Sequence, residues 1–160
     1  MKCIVYYNIH IDLYTTFDKN KFDKTMTKGL AIIMFSGTAD KFIPLGVLTQ
    51  TAANLGVPVR IFVTGFATPY FTKNKPQPRF PKEFEDMVPH LIKGLEKVKA
   101  PSWYDMLKEA KEVGDVKVYV CSLIAEALGL KKDHLDPIVD DIVGATFFMK
   151  ETAEYEVIFI

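Results

Sequence analysis

The stretch Val116-Lys-Val-Tyr-Val-Cys121-Ser-Leu-Ile-Ala-Glu-Ala-Leu-Gly129 decides the fold, because its hydrophobic pattern changes part-way along. Residues 116–120 are rich in β-branched and aromatic side chains and nearly continuous in hydrophobicity, as in a strand buried on both faces. Ile124, Ala127 and Leu128 then follow helical spacing, and Gly129 ends the run. Working outward, 30–35, 59–63 and 157–160 repeat the strand pattern. Helical patterns lie between them. Leu45, Leu48, Ala52 and Leu55 precede Gly56, with Pro44 near the helix start or kinking it. Phe84, Met87, Val88, Leu91, Ile92, Leu95 and Val98 form the cleanest apolar stripe, which Pro89 is expected to bend. Ser102 caps a third helix that runs through Trp103, Met106, Leu107, Ala110 and Val113 to Gly114. Residues 143–153 read as the last helix. Strands alternating with helices predict right-handed crossovers and a mostly parallel sheet of four to five strands, a flavodoxin-like or Rossmann-like three-layer α/β fold.

The 160 residues carry 20 basic and 20 acidic side chains and are 49% apolar. That length suffices for one domain with its own core, without disulfides or a structural metal. A zero net charge gives no global attraction for nucleic acid or an acidic membrane. The apolar runs 30–35 and 145–149 are far shorter than the ~18 residues of a membrane span. Polar residues Asn8, His10 and Asp12 interrupt any signal-peptide core near the start, so the expected location is cytoplasmic, where thiols stay reduced. Residues 1–28 read as an extension, an edge strand or an oligomer arm, ahead of a domain at 29–160. Six of the nine prolines fall between Pro69 and Pro101, and the 72–81 loop among them carries Lys73, Lys75 and Arg79. Such a loop either covers a site or is a surface connector.

Two widely separated cysteines, Cys3 and Cys121, exclude CxxC and zinc-knuckle motifs, and His10, His90 and His134 are equally scattered. No metal or cofactor is expected; GxGxxG and GxxxxGK[ST] are both absent. In open parallel sheets, ligands bind beyond the carboxyl ends of the strands. That rule selects Ser36-Gly37-Thr38, Thr64-Gly65 and Cys121-Ser122. The glycines and hydroxyls are candidates for binding an anion or substrate, or are ordinary turn glycines and hydroxyl caps. Cys121 leaves a strand where a helix begins, and unpaired N–H groups there favour a thiolate. It is either a nucleophile or a small buried hydrophobe. Asp140 or Asp141 is expected to cap the following helix, Asp133 to cap locally, His134 to lie on the surface, and Tyr104 and Tyr119 to pack.

The run 116–133, the segment Val143-Gly-Ala-Thr-Phe-Phe148, the opening Leu30-Ala-Ile-Ile-Met-Phe-Ser-Gly-Thr-Ala-Asp-Lys41 and Val59-Arg-Ile-Phe-Val-Thr-Gly65 together resemble the DsrE/DsrF-like sulfur-relay family, in its archaeal, peroxiredoxin-like branch. The resemblance spans roughly residues 29–160 in order. It implies a flavodoxin-like fold, homo- or hetero-oligomers, and a cysteine carrying sulfane sulfur as a persulfide or thiosulfonate, a place that Cys121 matches. The implied partners are a sulfur donor and a TusA-like or rhodanese-like protein. The chain lacks the second nearby cysteine of some relatives, and its leader and proline-rich loop have no counterpart in the pattern. Two other readings stand beside sulfur trafficking: a single-cysteine thiol peroxidase or redox sensor, which also needs an accessible thiolate, and a non-catalytic oligomeric scaffold or small-ligand binder with Cys121 inert.

Overall fold

A computed structural model describes residues 28–160 of the chain. The expectations for the leader, including Cys3 and a strand or arm there, lie outside the described residues. Five strands, β1 (Leu30–Met34), β2 (Val59–Val63), β3 (Val116–Cys121), β4 (Asp141–Val143) and β5 (Glu156–Phe159), form one parallel sheet in the order β4-β3-β2-β1-β5. The helices are α1 (Ala39–Asn54), α2 (Val88–Lys97), α3 (Trp103–Val113), α4 (Ser122–Ala127) and α5 (Ala145–Glu151). The chain has the expected three-layer, flavodoxin-like α/β architecture.

The strand order fixes the layers. From β1 to β4 every crossover steps to the neighbouring strand in one direction, whereas β4 to β5 returns across the whole sheet. Right-handed crossovers therefore place α5 on the face opposite the other helices. The core divides the same way. On one face Phe42 and Leu45 of α1 and Leu107 and Ala110 of α3 pack on strand residues such as Ile32, Ile61 and Val118. On the other, Phe148 of α5 covers Ala31, Phe62, Tyr119 and Cys121. Alternation along β3 sends Tyr119 and Cys121 to this thinner side.

Several local expectations change. Residues 141–143 are a three-residue edge strand, and α5 begins only at Ala145 with Gly144 as its cap residue. Asp140 and Asp141 therefore cap no helix. Asp140 instead accepts the Val118 N–H (2.8 Å) and the Lys111 ammonium (2.6 Å), tying α3 to β3. Its burial opposes ionisation, but those two hydrogen bonds outweigh this and hold its carboxyl below the usual range. Asp133 lies exposed within the short turn Lys132–His134, whose cap position is Lys131. Pro89 occupies the first turn of α2, where its missing N–H costs nothing, so it starts the helix rather than bending it. Pro44 sits inside α1. Gly56 and Gly129, at φ +75° and +63°, end α1 and α4 in the left-handed conformation.

Candidate functional site

The carboxyl ends of the strands bring the selected sequences onto one edge of the sheet, with Gly144 after β4, Cys121-Ser122 at β3, Thr64-Gly65 after β2 and Ser36-Gly37-Thr38 after β1. At β3 and β4 the connections part to opposite faces, α4 to one and α5 to the other. This is the switch point where a crevice is expected in an open parallel sheet. Cys121 is the last residue of β3 and the cap residue of α4.

Its side chain does not use that position as a cap, since it accepts no hydrogen bond from the first turn of α4. The pleat directs it instead toward Phe62, Tyr119 and Phe148, with Ile124 and Val143 alongside, and leaves it 8% exposed. The face covering it is held by α5. Phe148 stacks on Phe62 at 4.8 Å between ring centroids, and Glu151 accepts from Arg60 Nε (2.6 Å) and from the Tyr119 hydroxyl (3.2 Å). Burial, reinforced by Glu151, pushes the Tyr119 phenol up to about 12, so it remains a donor at neutral pH. Tyr119 thus packs, as expected, and also anchors α5.

Ser36, Gly37 and Thr38 form a separate centre around β1. The Ser36 and Thr38 hydroxyls lie 3.0 Å apart, and Ser36 Oγ accepts the Thr38 N–H at 3.4 Å. Neither Thr38 nor Thr64 caps its following helix with its side chain. The backbone of 72–81 folds back here, with Ala39 N–H donating to the Arg79 carbonyl at 2.8 Å. Gly37, Thr38, Tyr70, Arg79 and Phe80 thereby wall an open groove of about 600 Å³. A second groove, of about 580 Å³, lies on the α5 face between Tyr119, Asp141, Gly144 and Phe147. Cys121 lines neither, so the carboxyl edge does not gather Ser36, Thr38, Thr64 and Cys121 into one pocket. Gly37 is required by close approach: a Cβ there would stand 2.5 Å from the Phe66 carbonyl oxygen. Gly37→Ala is expected to lower stability by about 1–3 kcal/mol in a denaturant titration. An unchanged midpoint would show that the turn relaxes freely.

No protein-family model matches the sequence. No curated protein matches it either. Among solved structures, the chain is similar to a protein of unknown function, MTH1491 from Methanobacterium thermoautotrophicum, with a TM-score of 0.46 and 14% identity over 82% of this chain and 99% of that one. Among the described residues no group of three or more His, Cys, Asp or Glu is placed to hold a metal ion, and no helix is long and apolar enough to cross a membrane.

One polar cluster was not foreseen. Asp136, 4% exposed, accepts from Lys75 Nζ (2.5 Å), the Tyr104 hydroxyl (2.6 Å) and the Ile138 N–H (2.9 Å). Lys75 also lies over the Tyr104 ring, 3.9 Å from its centroid. The basic loop is therefore partly neutralised: Lys75 is a structural tether, not a free cation. An acid in the otherwise apolar run Leu135-Asp-Pro-Ile-Val139 was the available signal. Tyr104 packs as expected but with its hydroxyl committed, and His134 is exposed.

Proposed function

We propose that the protein is a sulfur carrier in which Cys121 takes up sulfane sulfur as a persulfide and passes it to a partner thiol. The observation that carries the reading is the position of Cys121, the last residue of β3 at the point where the connections of β3 and β4 diverge. The likeness of segments 30–41, 59–65, 116–133 and 143–148 to DsrE/DsrF-like sulfur-relay proteins supports the same residue. Its apolar surroundings suit the task, because a site open to water and small thiols would lose its sulfur to them.

In the transfer the Cys121 sulfur attacks the terminal sulfur of a donor persulfide R–S–SH. A new S–S bond forms as the donor S–S bond breaks, and the donor leaves as R–SH with the proton given up by Cys121. Attack by an acceptor thiol on the terminal sulfur reverses these changes and restores the Cys121 thiol. Neither step needs an external oxidant or reductant. Ser122, the next residue, is exposed.

Intact-mass measurement after polysulfide exposure tests the reading. Wild type and Cys3→Ser are expected to gain sulfur and Cys121→Ser to gain none at the same dose. Equal gain by Cys121→Ser would end the proposal. Comparison of peroxide and polysulfide rates at Cys121 separates the carrier from a thiol peroxidase. The 8% exposure of Cys121 favours an inert, packed thiol as the second reading. Under that reading folded Cys3→Ser protein would resist polysulfide and react only when unfolded.

A further inference from the structure

The 72–81 loop is fixed more firmly than a connector requires. Near its start the Lys73 N–H donates to the His134 carbonyl at 3.0 Å, and the Lys75 ammonium is bound to buried Asp136. Near its end Arg79 forms a short parallel bridge with Thr38, where the Ala39 N–H donates to the Arg79 carbonyl at 2.8 Å. Ordering a stretch with no helix or strand of its own costs backbone entropy that a plain connector would keep. What the ordering produces is the open groove of about 600 Å³ at the carboxyl end of β1. Tyr70 and Phe80 give it aromatic walls, and the Tyr70 ring is set by an edge contact with Phe42 at 5.1 Å between centroids.

The polar side chains on this groove have unused capacity. Among the described residues the Arg79 guanidinium makes no ion pair or hydrogen bond, and the Tyr70 hydroxyl has no partner. The chain's other arginine, Arg60, is by contrast held by both Glu151 and Asp115. The Ser36 and Thr38 hydroxyls share one proton between them, which leaves the other to donate.

We propose that the groove binds a small aromatic carboxylate, its oxygens on the Arg79 guanidinium and the Thr38 hydroxyl and its ring against Tyr70 and Phe80. Charge selects the anion. Lys75 is spent on Asp136 and Lys73 is no part of the groove, so Arg79 alone among the described residues lines it with positive charge, which matches a monoanion better than a phosphate ester. A guanidinium fork also fits the two oxygens of one carboxylate. Asp40, on the first turn of α1, does not line the groove, and Lys41 lies 3.6 Å from its carboxylate. The aromatic walls and the volume select a flat ring system. Because the loop is already tethered, its ordering is met on folding and not on binding. The site is separate from Cys121 and does not depend on that residue carrying sulfur.

Amide-resolved NMR titration of the full chain with benzoate, naphthoate, neutral benzamide and inorganic phosphate tests the proposal. Benzoate is expected to shift the Gly37, Thr38, Arg79 and Phe80 amides saturably, naphthoate to bind more tightly, and benzamide to bind about tenfold more weakly. Arg79→Gln keeps the backbone link to Ala39 and should reduce benzoate to the level of benzamide while leaving benzamide unchanged. Thr38→Val should weaken benzoate about threefold. The unshifted remainder of the spectrum reports that each variant is folded. Absence of saturable shifts at the groove, equal binding of benzoate and benzamide, benzoate binding indifferent to Arg79→Gln, or phosphate binding there as tightly as benzoate would overturn it.

Discussion

Asp136→Ala is expected to lower the stability of the fold by about 2–4 kcal/mol, equivalent to roughly 6–12 °C in Tm for a chain of this size. The carboxylate is buried, and its removal strands the Tyr104 hydroxyl and the Lys75 ammonium that point at it. The Lys75 side chain keeps 32% exposure, so water recovers part of its loss and the cost stays below that of a fully buried pair. The effect has a defined pH dependence. Burial alone would raise the Asp136 carboxyl, but hydrogen bonds from Lys75, Tyr104 and the Ile138 N–H outweigh it and hold the folded-state pKa below the unfolded value near ~3.9. A carboxyl depressed on folding contributes its full stability above the unfolded pKa and loses it as pH falls through the folded one. Wild type and variant should therefore differ most at neutral pH and converge on acidification below about pH 4. At the alkaline end, burial and then Asp136 push the Tyr104 phenol up to about 12, so its contribution holds below its usual value and fades as pH rises toward 12. Denaturant midpoints measured from pH 3 to pH 8 decide the matter. A difference that is small at pH 7, or constant down to pH 3, would show that the cluster is not what binds the 72–81 loop to α3.

The pattern of 116–129 was enough to name the architecture, because a buried strand and an amphipathic helix leave different periods in sequence. It was not enough to find β4. Asp141-Ile-Val143 is too short to show alternation and begins with an acid, so its run merged with the helix behind it. Asp140 misled for a related reason: an acid before a helix resembles a cap, and only the fold shows that α3 and β3 lie close enough to claim it. The site divides similarly. The rule about carboxyl ends located Cys121, Thr64 and Ser36 on one edge, since that depends on strand direction alone. The facing of the Cys121 side chain depends on the pleat and on which helix covers each side, and the latter followed from a strand order that no local pattern encodes. For the same reason α2 had the clearest amphipathic signature in the chain, yet that signature could not reveal that none of its residues is buried.

Phe148→Ala should affect both the stability of the fold and the chemistry of Cys121. Phe148 is 3% exposed, stacks on Phe62, and belongs to the seven-residue α5, the helix that covers the thinner face of the sheet. Truncating it removes a buried ring and leaves a cavity that the short helix can fill only by shifting, at a cost of about 3–4 kcal/mol. Glu151 continues to hold α5 through Arg60 and Tyr119, so the helix is loosened rather than released. The cavity opens in the cluster that contains the Cys121 sulfur. Thiol labelling of the folded variant should then accelerate about tenfold or more over wild type, since opening free energies of this size govern exposure of a buried group. If Cys121 is the sulfur carrier, its persulfide should also be discharged faster by small thiols in the variant, because the shielding that α5 provides is what has been lost. Labelling that stays at the wild-type rate while stability falls would mean that reagents reach Cys121 past the start of α4, at Ser122, and that the approach of donor and acceptor lies on that side instead.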